Sequence, residues 1–168
     1  MAMNRMCVAT ALGLMGMATP LAAQGVPPVD PHHGDESATP AAMPTKVISV
    51  ADLSRLIANK GMSLQWMSGP ARGPVRVLVD TATGQWTLMG THGDAAGASV
   101  SVDGFISEVG DKYFQLTGTL TILNTPDQGR TCRAFGDWRF AITQNRKYYR
   151  LRHFEWCDGL TDYIDIHF

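Results

Sequence analysis

Nothing in the chain is both long and apolar enough to span a membrane. The longest such run, Met6 to Met17, falls well short of the ~20 residues a spanning helix requires. Charge of one sign is equally absent: 14 Lys+Arg stand against 15 Asp+Glu, a formal net charge of −1. On that balance nucleic acid is not an expected partner. Only three cysteines occur, with no CxxC spacing, which excludes a four-cysteine zinc site and a thioredoxin-like redox pair. GxSxG, HExxH, GxxxxGK[ST] and DxDxDG are all missing, so no established nucleophile, zinc, phosphate or calcium motif is present. No cofactor and no metal site is expected.

What is there begins as a secretory signal begins. Arg5 precedes the apolar run, and small residues from Ala18 to Ala23 follow it. Residues 1–23 therefore read as a signal peptide cleaved after Ala22-Ala23. Cys7 precedes the apolar run instead of closing it, which argues against a lipid-modified cysteine. The expected location is the periplasm or the exterior, with no transmembrane segment in the mature chain.

Residues 24–48 hold Pro27, Pro28, Pro31, Pro40 and Pro44 and no aromatic side chain, the composition of a disordered spacer. His32 and His33 within it read as solvated, because no third metal ligand lies nearby. Residues 49–168 then form a single β domain entered through one helix. Ser49 with Asp52 three residues on makes a capping box, Val50, Leu53, Leu56 and Ile57 share a helical face, and Gly61 is the stop.

After Gly61 the hydrophobic period drops to two. Strands are expected at about 63–68, 74–80, 85–91, 98–109, 113–123, 131–143, 146–156 and 161–168. The predicted fold class is all-β: an antiparallel meander of about eight strands, an up-and-down barrel or a sandwich, preceded by one short α-helix.

Apolar residues of neighbouring strands must share a face, which sets registers on paper. A loop of Thr81 to Gly84 puts Val79 opposite Trp86 and Val77 opposite Leu88. A three-residue loop of Gly110, Asp111 and Lys112 pairs Ile106 with Leu116 and Val102 with Leu120. That register sets Gly104 against Gly118, leaving a gap on the inner face. A bend, or a ring such as Trp66 or Trp86, would fill it; otherwise Gly104, Gly118 and Trp86 would line a ligand pocket.

A turn at Gln144-Asn145 pairs Trp138 with Leu151, Phe140 with Tyr149 and Cys132 with Cys157. Cys132 and Cys157 are the cysteines left after cleavage, so a disulfide is expected. A turn at Asp158-Gly159 pairs Leu151 with Ile166, His153 with Ile164 and Glu155 with Asp162. On the outside it lines up Asp137, Arg152 and Asp165, with Arg139, Arg150 and His167 in the next row, a solvated ladder.

Glu155 and Asp162, facing each other as like charges, either sit in water at an open rim or share a proton, a cation or a ligand, with His153 one step further in. They are the only candidates for acid–base or metal chemistry.

The stretch Cys157-Asp158-Gly159-Leu160-Thr161-Asp162-Tyr163-Ile164-Asp165-Ile166 resembles the ending of a group of uncharacterised exported bacterial proteins, written CDG-x-TDY-x-DI. The resemblance implies an exported β domain and no known activity. The functional expectation is a non-catalytic exported domain binding an envelope protein or a small apolar ligand. Its rivals are a small hydrolase or metal-dependent enzyme using the Glu155/Asp162 pair, and a structural envelope component.

Overall fold

A computed structural model describes residues 42–69 and 71–168. The expected signal peptide, Cys7, His32, His33 and most of the spacer lie outside those residues.

The chain runs β1 (Lys46–Val47), α1 (Val50–Ile57), β2 (Met62–Leu64), β3 (Val75–Asp80), β4 (Gln85–Gly93), β5 (Ser99–Gly110), β6 (Tyr113–Leu123), β7 (Thr131–Ala141), β8 (Tyr148–Leu151) and β9 (Ile164–His167). The antiparallel strands are ordered β2-β9-β8-β7-β6-β5-β4-β3. The sheet curls into a half-barrel, and its two ends touch where Met62 and Gly73 exchange N–H···O bonds of 2.8 and 2.9 Å. The fold class is thus all-β with one short helix.

Alternation does the work the sequence implies. Along β6, Phe114, Leu116, Leu120 and Ile122 are buried while the residues between them are half-exposed. They meet Val100, Val102 and Ile106 from β5 and Trp138 and Phe140 from β7. Each such aliphatic side chain contributes about 1.5–3 kcal/mol by leaving water. Phe114 stacks on Phe140 at 4.8 Å, and Tyr149 meets Phe114 edge-on at 5.4 Å.

The first two hairpins keep the expected pairs, with Val79 opposite Trp86, Ile106 opposite Leu116 and Gly104 opposite Gly118. The β5–β6 loop differs from expectation. It is a two-residue turn, Asp111-Lys112, and the register is recovered by a bulge at Ser107 between the Ile106 and Glu108 pairs. Beyond that bulge β1 lies parallel to β5, where β4 has ended. Thr45 accepts the Trp86 N–H at 2.8 Å and donates to the Ile106 carbonyl. Thr45 and β1, inside the stretch expected to be spacer, are therefore tied into the sheet.

The gap at the glycines is closed by backbone. A Cβ on Gly104 would stand 2.4 Å from the Thr117 carbonyl oxygen, and one on Gly118 2.2 Å from that of Asp103. Gly136 on β7 continues the row opposite Gly118. Sequence reasoning named Trp66 or Trp86 for this gap; a ring that does reach the row is Trp138, whose Nε1–H donates to the Gly118 carbonyl at 2.9 Å and which lies 3.4 Å from where a Gly136 Cβ would stand.

Two other expectations are corrected. On α1 the buried positions are Asp52 and Leu56, whereas Val50 and Ile57 are exposed, because the acid itself turns inward. At the C-terminus the pairing is shifted by two residues: Phe140 faces Leu151, Tyr149 faces Ile166 and Arg150 faces Asp165. A two-residue slip leaves every side chain on its expected face, which is why alternation did not reveal it. β8 is also short, and residues 152–163 form a loop. Asp158 and Gly159 do make the expected tight turn, with φ of 49° and 76° and the Leu160 N–H donating to the Cys157 carbonyl. The flanking residues nevertheless do not form a ladder.

Candidate functional site

The loop that replaces the last hairpin takes apart the acid pair. Glu155 and His153 are exposed, whereas Asp162 is fully buried. Asp162 accepts from both terminal nitrogens of Arg130, at 3.0 and 2.9 Å, and from Trp66 Nε1 at 2.9 Å. Three donors hold the Asp162 carboxylate inward while Glu155 is exposed to solvent, so the expected Glu155/Asp162 facing pair is not formed. His153 packs beside Trp138, with ring centroids 5.9 Å apart.

Arg130 is the centre of this arrangement. Its Nε and one terminal nitrogen fork onto Asp158 at 2.8 Å each, and the other terminal nitrogen also reaches the Thr125 carbonyl at 3.0 Å. All five donors are used. The hydrogen bonds it donates to Asp158 and then to Asp162 push its pKa further up. Two residues along from Arg130, Cys132 is bonded to Cys157 with Cα atoms 5.9 Å apart. The disulfide is present as expected, but it joins β7 to the loop and is not a cross-strand pair. Together these groups tie residues 152–163 to the start of β7.

Asp52 is a second buried hub. It receives hydrogen bonds from Ser49 Oγ at 2.6 Å, Arg55 at 2.8 Å, the Lys112 N–H at 3.1 Å and the Tyr149 hydroxyl at 2.6 Å. Burial alone would raise its pKa, but these donors outweigh it and hold the carboxyl below its ordinary value. Burial and then Asp52 push the Tyr149 phenol well up. Because the folded pKa is below the unfolded one, this stabilisation is complete above the unfolded value of ~4 and is lost as pH falls through the folded value. The urea midpoint of the wild type should therefore drop on acidification below about pH 4, more steeply than that of Asp52→Asn. Parallel acid profiles would contradict it.

Gly104, Gly118 and Trp86 line none of four surface concavities among the described residues. Three of those concavities adjoin one another around the Thr143–Arg146 turn, where Gln144 and Asn145 are both left-handed. One, of about 620 Å³, brings Lys60, Arg72 and His167 to Arg146 and Lys147. The next, of about 450 Å³, sets Arg150 and Arg152 beside Arg146, with Phe154 and Tyr163 as walls. The third adds Arg55 and Lys112. No Asp or Glu lines any of the three.

Two of the three arginines of the second concavity are held on aromatic rings of its own walls. Arg150 lies 4.1 Å from the Tyr163 centroid, and its Nε and one terminal nitrogen donate to Asp165 at 2.7 Å each. Arg152 lies 4.7 Å from Phe154. At the rim, burial, reinforced by Arg72, holds the His167 imidazole below its ordinary range. Sequence reasoning read Arg150, Arg152 and His167 as part of a solvated ladder with Asp137 and Asp165, whereas only Arg150 is paired with one of those acids, Asp165. The available signal was the run Arg146-Lys147-Tyr148-Tyr149-Arg150-Leu151-Arg152, four cations interleaved with aromatics.

No solved structure matches the chain. An uncharacterized protein of Pasteurella multocida (strain Pm70), PM1083, is 34% identical over 117 residues, covering 68% of this chain and 74% of the relative. The PM1083 family pattern matches residues 44–168, which is nearly all of the described chain and far more than its last hairpin, and the protein belongs to that family.

Proposed function

We propose that this is an exported, non-catalytic binding domain whose partner is an envelope protein that adds a strand at β3. Export is supported by Arg5, the apolar run and the Ala22-Ala23 ending, and by a disulfide of the kind that persists in oxidising compartments. A non-catalytic role is supported by the fate of the candidate acids, since Asp162 is locked to Arg130 and Glu155 lies apart from it in water. The filled glycine row counts against an apolar ligand inside the barrel.

The observation that carries the reading is the edge itself. β3 ends the strand order and leaves Leu78 53% and Val79 41% exposed. Edge strands with exposed apolar side chains pair readily with another chain. The test is capture from the envelope fraction by wild type and by Leu78→Lys/Val79→Lys, with hydrogen exchange on the captured complex. The partner should be lost in the variant while its melting temperature holds, and the amides of Val75–Asp80 should gain protection in the wild-type complex. Intact mass of the exported protein should place its start near Gln24. Undiminished capture by the variant, or no added protection at β3, would sink the edge reading.

A further inference from the structure

The concavity bounded by Arg146, Arg150 and Arg152 has the construction of an anion receptor, and we propose that it binds a phosphate group, either a phosphomonoester or a pyrophosphate. Among the described residues five ion pairs form, and Arg146 and Arg152 take part in none. Arg150 spends two donors on Asp165, which fixes the plane of its guanidinium and leaves its remaining terminal nitrogen for a ligand.

Stacking on Tyr163 and Phe154 restrains Arg150 and Arg152 before anything binds, so little side-chain entropy remains to be lost on association. Asp165 already compensates Arg150, but Arg146 and Arg152 bring two unpaired charges to the same concavity, and an anion placed between them supplies the missing counter-charge. A planar carboxylate has two oxygens and is satisfied by one guanidinium fork. A tetrahedral phosphate dianion presents three terminal oxygens, one for each of the three arginines that line the concavity.

The neighbouring concavity extends the match. It shares Arg146 and adds Lys60, Arg72 and Lys147, again without a carboxylate. A second phosphate attached to the first would find its own cations there, so pyrophosphate should bind more tightly than orthophosphate. This site is separate from β3, and its failure would leave the edge reading standing.

The experiment is calorimetric titration of the full mature protein with inorganic pyrophosphate, in parallel with flotation on phosphatidylcholine vesicles with and without phosphatidic acid. Arg146→Gln and Arg152→Gln should each weaken pyrophosphate binding about tenfold, the size expected for one charge-assisted contact. Arg133→Gln, an exposed arginine on β7 outside these concavities, should leave it unchanged. Melting temperatures of the unliganded variants should equal or exceed wild type, which separates lost binding from lost folding. Flotation that requires phosphatidic acid and fails in Arg152→Gln assigns the phosphate to a lipid headgroup. Pyrophosphate binding without flotation assigns it to a soluble ligand. Absence of both, or equal weakening by Arg133→Gln, would overturn the proposal.

Discussion

Replacing Arg130 by Leu should cost the domain about 3–5 kcal/mol, the loss that follows when one partner of a buried ion pair is removed and the other stays behind. The side chain of Arg130 is 5% exposed and that of Asp162 is 0% exposed, so no water stands ready to replace the guanidinium. Trp66 Nε1 would remain as the one neutral donor to the stranded carboxylate. Arg130→Lys should fail almost as badly, because an ammonium cannot fork onto two carboxylates at once. Asp158→Asn should be mild by comparison, since the Asp158 side chain is 42% exposed and its charge can be solvated. Combining Arg130→Leu with Asp162→Leu should recover much of the loss by removing the orphaned charge. Urea denaturation of the five proteins checks the series. An Arg130→Leu midpoint no lower than that of Asp158→Asn would show that the cluster is not a structural clamp.

Opening the disulfide should be nearly as costly. Cys132 and Cys157 are 25 residues apart, and cross-linking a loop of that length stabilises by about 3.5 kcal/mol in the chain-entropy account. The double Cys132→Ser/Cys157→Ser variant should keep its far-ultraviolet β signal while its urea midpoint falls. Near-ultraviolet signals should change as well, because Trp156, next to Cys157, packs edge-on against Trp138 at 5.5 Å. The bond and the Arg130 cluster hold the same loop to the same strand, so their losses should be less than additive. A combined loss equal to the sum of the separate ones would show that the two tethers act independently. A reduced protein with an unchanged midpoint would remove the disulfide from the stability argument.

The sequence by itself determined what depends on near neighbours in the chain. The helix start at Ser49, the β3–β4 hairpin and the face alternation of β5 to β7 all follow from turn residues and period two, and all are found. The Gly104–Gly118 pair followed from register alone. The disulfide was inferable from there being two cysteines in an expected oxidising compartment, although the strand pairing used to support it was wrong.

Tertiary structure decided the rest, and the reason is the same each time. A slip of two residues costs nothing in alternation, so the pairing of β7, β8 and β9 was left to contacts that no local pattern records. Asp158-Gly159 turned as its dihedral preferences dictate, yet the strands it should have joined were pulled apart into a loop whose Asp158 and Asp162 are bound by Arg130. Asp52, read as a cap, became a buried hub because Tyr149 and Lys112 arrive from distant strands to satisfy it. The basic surface has a nucleus in the run from Arg146 to Arg152, but Lys60 and Arg72 join it only once the sheet curls and β9 brings His167 alongside. Local patterns choose faces and turns, whereas the partner of a buried charge is chosen by whichever opposite group the closed fold delivers within hydrogen-bond reach.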